Sequence, residues 1–131
     1  MGSNIIQITP FMHIDDVARA VAFFTDSLGF ECLIQARDYA YVERDGAGIR
    51  IQWHDEPAEL VSHGGFAYYL DVRDLDAILA ELGPKLAALP EGHVHGPIDQ
   101  SYGQRELMIR APDGNLVVFG QAIAAASEDE A

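Results

Sequence analysis

Three groups of side chains in this chain of 131 residues could do chemistry, and each has a different use. The first is histidine. His93 and His95 flank Val94, so on a strand both would face one side, where a His-x-His pair can supply two metal ligands. On an acidic, edge-like segment two exposed histidines are the commoner outcome of that spacing. His54, near a strand end, and His63, in a polar stretch, are expected at the surface, whereas His13 lies on an early apolar run. The second group is aromatic. Tyr39, Tyr41 and Tyr102 offer flat faces for stacking, although Tyr39 and Tyr41 could equally pack a half-buried sheet. The third is charged: Arg50 within Ile49-Arg50-Ile51, and the adjacent Arg105 and Glu106. Neighbouring residues of a strand point to opposite faces, so Arg105 and Glu106 cannot both meet one ligand. Glu106, if inward, would accept from a cation, or equally satisfy a loop amide. No Ser/His/Asp set, glycine-rich phosphate loop or CxxC pair supports hydrolysis, nucleotide binding or redox work.

The totals narrow the choice of partner. With 21 acidic against 8 basic residues the formal net charge is −13. Phosphate backbones need basic surface, so nucleic acid is a poor partner. The acids either keep the surface solvated or set up a field that attracts a cationic ligand. Glu128, Asp129 and Glu130 belong to an Ala-rich acidic tail, 122–131, expected to be disordered and outside any binding site. No run of about 18 apolar residues occurs, so no membrane-spanning helix and no membrane partner are expected. Met1 to Ile5 lacks the basic region and apolar stretch of a secretory signal. The single cysteine, Cys32, cannot make an internal disulfide, and a reducing cytoplasm is the simplest location.

The elements that must position these residues come as a repeat. Ile14-Asp15-Asp16-Val17 is similar to Val72-Arg73-Asp74-Leu75: an apolar run ends in an Asp and an amphipathic pattern follows. Asp16 and Asp74 are helix N-caps, since a short carboxylate accepts from the orphan N–H groups of the first turn. Val17, Ala20, Val21 and Phe24, and then Leu75, Ile78, Leu79 and Leu82, recur at helical spacing, with Gly29 and Gly83 as stops. Strands are predicted near 30–36, 39–44 and 48–54, the last two joined by Asp45-Gly46, and near 93–98, 104–110 and 115–120, where Pro112-Asp113-Gly114 makes the corresponding turn. Leading strands near 5–14 and 65–72 complete two βαβββ modules, about 5–54 and 65–121, within a single domain spanning 1–127. The fold class is α+β, a curved mixed sheet around a cleft. Neither half could bury both its helix and its sheet alone, and the surface left between paired halves suits a small molecule.

Strand parity then sorts the cleft residues. Arg50, Gln52 and His54 should face the cleft, with Ile49, Ile51 and Trp53 under the helix. Ala67, Tyr69 and Asp71 should face it, with Phe66, Tyr68, Leu70 and Val72 in the core. Leu116 and Val118 should face it, opposite Val117 and Phe119. His13 shares parity with Thr9 and Phe11. The parity of Tyr39 and Tyr41 stays open.

The start at Asp16-Val17, the stretch from Phe23-Phe24 to Leu28-Gly29-Phe30, Tyr102-Gly103-Gln104-Arg105-Glu106, and Pro112-Asp113-Gly114-Asn115 followed by Leu116-Val117-Val118-Phe119 occur in a telling order. With them the chain resembles the vicinal oxygen chelate superfamily, the group of glyoxalases, bleomycin-resistance proteins and extradiol dioxygenases, from about Ile8 to Gln121. The likeness is greatest to the bleomycin-resistance branch. It implies a homodimer with exchanged halves that sequesters a bulky cationic drug without chemistry on it. It assigns drug stacking to Tyr102 and cleft-wall positions to Ile34 and Tyr39, although Ile34 cannot stack as an aromatic would. Enzymes of the superfamily hold a divalent metal on four strands, and counting from the motifs places those positions at Thr9, Arg50, Ala67 and Val118. None is a plausible ligand, Arg50 least of all, because a permanent cation has no lone pair to give. No metal and no cofactor are therefore expected.

The function expected is metal-free binding of a planar cationic small molecule in a dimer cleft. Phe11, His13, Ile34, Tyr39, Arg50, Gln52, Tyr69, Tyr102, Glu106 and Val118 are the candidate ligand-binding residues. The alternative is a glyoxalase- or dioxygenase-like lyase with displaced or absent ligands, using Glu106 or His13 as acid–base groups. A third class is a dimer module assisting transcription or another enzyme.

Overall fold

A computed structural model describes residues 4–57 and 66–123. His63, the stretch 58–65 and the acidic tail with Glu128, Asp129 and Glu130 lie outside the described residues. The chain divides into two compact units, Met1–Pro57 and Ala58–Ala131. The first contains β1 (Phe11–Ile14), α1 (Val17–Ala22), β2 (Glu31–Gln35), β3 (Tyr39–Arg44) and β4 (Ala47–Trp53); the second contains β5 (Ala67–Asp71), α2 (Leu75–Ala87), β6 (Val94–Asp99), β7 (Gln104–Arg110) and β8 (Leu116–Ala122). Each forms its own four-stranded sheet, ordered β1-β4-β3-β2 and β5-β8-β7-β6. The first strand of each unit runs parallel to the last, and the other pairs are antiparallel. The βαβββ repeat is thus present twice with identical wiring, as two mixed sheets.

Local chemistry explains the element ends. Asp16 and Asp74 cap their helices, each carboxylate accepting from the backbone N–H three residues on, at 3.1 Å in both cases. Helix α1 passes into a π-helical turn, Phe23–Ser27, before Gly29 leaves the helix at φ 73°. The expected stop at Gly83 is not one, because α2 runs through Gly83 and Pro84 to Ala87. Pro84 forfeits one helical hydrogen bond, but Leu86 continues the buried stripe of Leu75, Ile78 and Leu82, so packing carries the helix on. The Asp45-Gly46 and Asp113-Gly114 turns hold both residues at positive φ, as tight turns of this composition require. The leading strand is shorter than the expected 5–14, because Pro10 has no N–H to extend the ladder; its carbonyl accepts from Arg50 at 2.9 Å as the last such contact.

One face of each sheet is packed by helix. In the first unit Met12, Ile14, Ala40, Val42, Ile49 and Ile51 are buried with Val17, Ala20, Val21 and Phe24 of the helical segment. In the second, Tyr68, Leu107, Ile109, Val117 and Phe119 are buried with Leu75, Ile78, Leu82 and Leu86. Fully burying such a side chain stabilises by about 1.5–3 kcal/mol. Trp53 and Phe66, expected in this layer, are instead half exposed, because Trp53 is the last residue of β4 and Phe66 precedes β5. Among the described residues the opposite face of each sheet carries no helix of its own unit, and it holds Arg50, Gln52, Tyr39 and Tyr41 in the first and Glu106 and Tyr69 in the second.

Candidate ligand-binding faces

On the first sheet the register lines up two rows. Phe11, Arg50, Tyr41 and Ile34 stand side by side across β1, β4, β3 and β2, and His13, Gln52 and Tyr39 form the next row. The parity of Tyr39 and Tyr41 is thereby resolved, and both belong to the open face. Arg50 donates through Nη1 to the Tyr39 hydroxyl at 2.5 Å, and its guanidinium carbon lies 5.4 Å from the centre of the Tyr41 ring. The Tyr41 hydroxyl accepts from the Gln7 amide at 3.2 Å and donates to Glu43 at 3.3 Å. Phe11 stacks on His13 at 6.2 Å, and His13 meets His54 edge-on. Phe11 and Ile34 stay about half exposed at the two ends of their row.

On the second sheet the open face centres on Glu106. Its register neighbours are Gly120 and Ile98, and Tyr69, Val118 and Met108 form the adjoining row. Glu106 is 4% exposed. Its carboxylate accepts from the Tyr102 hydroxyl at 2.9 Å and from the Gln100 amide at 3.3 Å. The Tyr69 hydroxyl, which donates to Gln104 at 3.0 Å, is pushed up to about pKa 12 by desolvation first and then by the neighbouring Glu106 carboxylate. The hydrogen bond to Glu106 also raises the Tyr102 hydroxyl. Among the described residues no cationic side chain pairs with this carboxylate. Arg105 points the other way, as parity requires, and clamps Asp99 through two bonds of 2.7 and 3.1 Å. That pairing holds the Asp99 carboxyl below its usual range. The Tyr102 ring itself is 65% exposed.

Two glycines missed by the sequence reading shape these faces. A Cβ at Gly48 would collide with the Tyr41 ring, and one at Gly120 would collide with the Tyr69 ring. Each tyrosine therefore lies across the neighbouring strand, its hydroxyl carried to the middle of the face. A glycine inside a strand often marks such a close approach, which is the signal that could have found them. Gly120→Ala is expected to swing Tyr69 off Glu106 without unfolding the sheet, since the clash meets the far end of a side chain. A fall in the Tyr69 phenol pKa from about 12 towards 10, read by phenolate absorbance, would show it; an unchanged titration would refute it.

The positions counted for a metal do not make a metal site. Thr9 precedes β1, and the residue opposite Arg50 is Phe11; Ala67 stands opposite Leu116, and Val118 opposite Tyr69. Val118 is on the open face but buried among its neighbours. A threonine hydroxyl, a guanidinium and two aliphatic side chains do not fit a divalent ion. His93 precedes β6, which begins at Val94 on the sheet edge, and His95 is exposed. Among the described residues no three His, Cys, Asp or Glu side chains gather in one place.

Comparison with known proteins matches this arrangement to others. The family model described as Glyoxalase/Bleomycin resistance protein/Dioxygenase superfamily matches residues 7–119. A bleomycin resistance protein from Geobacillus stearothermophilus is 24% identical over 132 residues, covering 90% of this chain and 98% of the relative. The crystal structure of a bleomycin-binding protein from bleomycin-producing Streptomyces verticillus, complexed with copper(II)-bleomycin, superposes with a TM-score of 0.73 at 26% identity, covering 95% of this chain and 100% of that one. An antibiotic-binding protein from Streptomyces sp. CB03234 shares the fold at a TM-score of 0.65 and 23% identity, covering 92% and 99%.

Proposed function

Because the chain belongs to the Glyoxalase/Bleomycin resistance protein/Dioxygenase superfamily, we propose that it binds and sequesters a planar cationic small molecule, an antibiotic of the bleomycin kind, without altering it. The observation that carries this reading is Glu106, a buried carboxylate held only by neutral donors beside an exposed tyrosine ring. A carboxylate there has acceptor capacity left over and, among the described residues, no cation paired with it. Tyr102 adds a flat surface at the same spot. The names of the bleomycin-resistance and bleomycin-binding relatives support the ligand class. Engagement of the Glu106 oxygens by Gln100 and Tyr102 favours a fixed anchor over a proton shuttle, and the unsuitable donor set speaks against metal-dependent lyase or dioxygenase chemistry.

Tyr102→Ala is the direct test. Aromatic contact contributes about 0.5–1.5 kcal/mol beyond area burial, and a desolvated cation–π contact about 2. Calorimetry with bleomycin should show binding weakened by about tenfold or more, with only a modest fall in melting temperature, because the ring is mostly in water although its hydroxyl is one of the two donors to Glu106. Raising salt should also slow association, since the field of a chain at −13 is screened beyond about 8 Å at physiological ionic strength. A lowered melting temperature with unchanged affinity would make Tyr102 a packing residue and sink the proposal.

The working form in this reading is a cytoplasmic homodimer. Ile5, Ile6 and Ile8 are 81%, 95% and 91% exposed, and three bare isoleucines on one short arm are supported best by a second copy that covers them. Sedimentation at micromolar concentration should give a dimer, with Ile6→Asp shifting it to monomer; a wild-type monomer would count against it.

A further inference from the structure

We propose that the open face of the first sheet is an oxyanion subsite for a planar compound, with Arg50 as its charged anchor. The inference shares with the proposed function the premise that the open faces take small molecules, but it does not need the cationic ligand assigned to Glu106. Arg19, Arg44 and Arg105 each have a carboxylate within 4 Å. Arg50 has none among the described residues, and neither do Arg37, Arg73 and Arg110, but Arg50 is held by the Tyr39 hydroxyl and the Tyr41 ring. Among the described residues one of its five N–H donors is engaged by a hydrogen bond, and the fork lies against the two tyrosines, so the geometry for bidentate recognition of an oxyanion is already assembled. Tyr39 accepts from Arg50, and among the described residues nothing accepts the Tyr39 proton, which leaves a second donor beside the guanidinium. Tyr41, by contrast, already donates to Glu43.

The surroundings select the body of the ligand. Phe11 and Ile34 flank Arg50 and Tyr41 along one row, both about half exposed, and Tyr39 stands in the next row. A cation with apolar and aromatic surface on both sides suits a flat apolar skeleton bearing a carboxylate or a similar oxyanion better than a free inorganic ion. The net charge works against such a ligand at long range, so salt should act in the opposite sense from its effect on a cation: screening the repulsion speeds association while weakening the contact at Arg50 only in part.

The probes are 2-naphthoate, its neutral amide and its cationic amidine, titrated by calorimetry into the full chain. Naphthoate should bind at least tenfold more tightly than the amide. Arg50→Gln should erase that preference, Arg50→Lys should restore part of it, and Tyr39→Phe should weaken naphthoate alone. Arg37→Gln makes the same change in net charge on an exposed loop and should leave naphthoate binding unchanged, which separates a site from a general field effect. Equal affinity for naphthoate and amide, or a preference that survives Arg50→Gln, would overturn the proposal. Bleomycin is titrated against the same variants. Loss of bleomycin binding in Tyr102→Ala with naphthoate binding intact would uphold both readings as separate subsites, whereas bleomycin binding without any naphthoate preference would overturn this one alone.

Discussion

Phe24→Ala is expected to lower the unfolding free energy by about 3–5 kcal/mol, whereas Phe11→Ala should change it by about 1 kcal/mol or less. Phe24 is fully buried at the start of the π-helical turn, its ring meeting Phe23 edge-on at 5.3 Å and Phe30 at 5.1 Å. Its carbonyl accepts from Phe30 at 2.9 Å, so the ring and backbone together fix how the chain leaves the helix for β2. Truncation empties a site bounded by other rings and by a sheet, and such a site collapses only in part. A loss of this size is a large share of the roughly 5–15 kcal/mol that a domain has in total. Phe11 is on β1, where Met12 and Ile14 point to the packed face and Phe11 to the open one, 47% exposed. Urea unfolding of the two variants side by side measures the difference between the faces. Equal losses would mean that the open face is packed too, and the candidate residues on it would lose their case.

The same contrast explains what could be read from the sequence. Period-2 alternation in Ile49-Arg50-Ile51-Gln52 identifies both faces of β4, because packing one face against a helix demands it, and the register then carries Arg50 and Gln52 into line with Phe11 and His13. The caps were equally legible, since an N-cap is a property of one side chain and its own backbone. Trp53, Phe66 and Gly83 were misjudged for a common reason: what covers a strand end, or whether a helix outlasts a Gly-Pro pair, is decided by distant residues. The site shows the same limit. Glu106 could be placed on a face, but its donors Gln100 and Tyr102 come from the turn before β7, and the glycines that let Tyr41 and Tyr69 lie flat act across strands. Between a cation and a loop amide as partners for Glu106, the described residues supply the amide and a phenol.

Glu106→Gln is expected to weaken bleomycin binding by about 10- to 150-fold, from the roughly 1.5–3 kcal/mol of a hydrogen bond to a charged group. The substitution keeps the shape of the side chain, removes its charge and replaces one acceptor oxygen by an NH2, so that either the Gln100 or the Tyr102 bond must rearrange. It should not destabilise the fold greatly, because a buried carboxylate without a cation is costly to hold and its neutral isostere is not. The phenols report on the change independently of any ligand. Tyr69 stands at about pKa 12 from burial and Glu106, and Tyr102 is raised by Glu106 first. With Glu106 neutral, both should titrate closer to 10. The sign for stability follows. A phenol whose folded pKa lies above its unfolded value contributes stability that is fully present below about pH 10 and is lost as pH rises through about 12. Wild type should therefore lose stability across that alkaline window, and Glu106→Gln should lose less across it. Phenolate absorbance and unfolding at several alkaline pH values give the two readouts, and calorimetry gives the third. If the phenols shift but bleomycin still binds fully, Glu106 is a structural acceptor for Tyr102 and the cationic anchor lies elsewhere. If the phenols stay where they are, the hydrogen bond from Tyr102 to Glu106 does not persist in solution, and the anchor loses its basis.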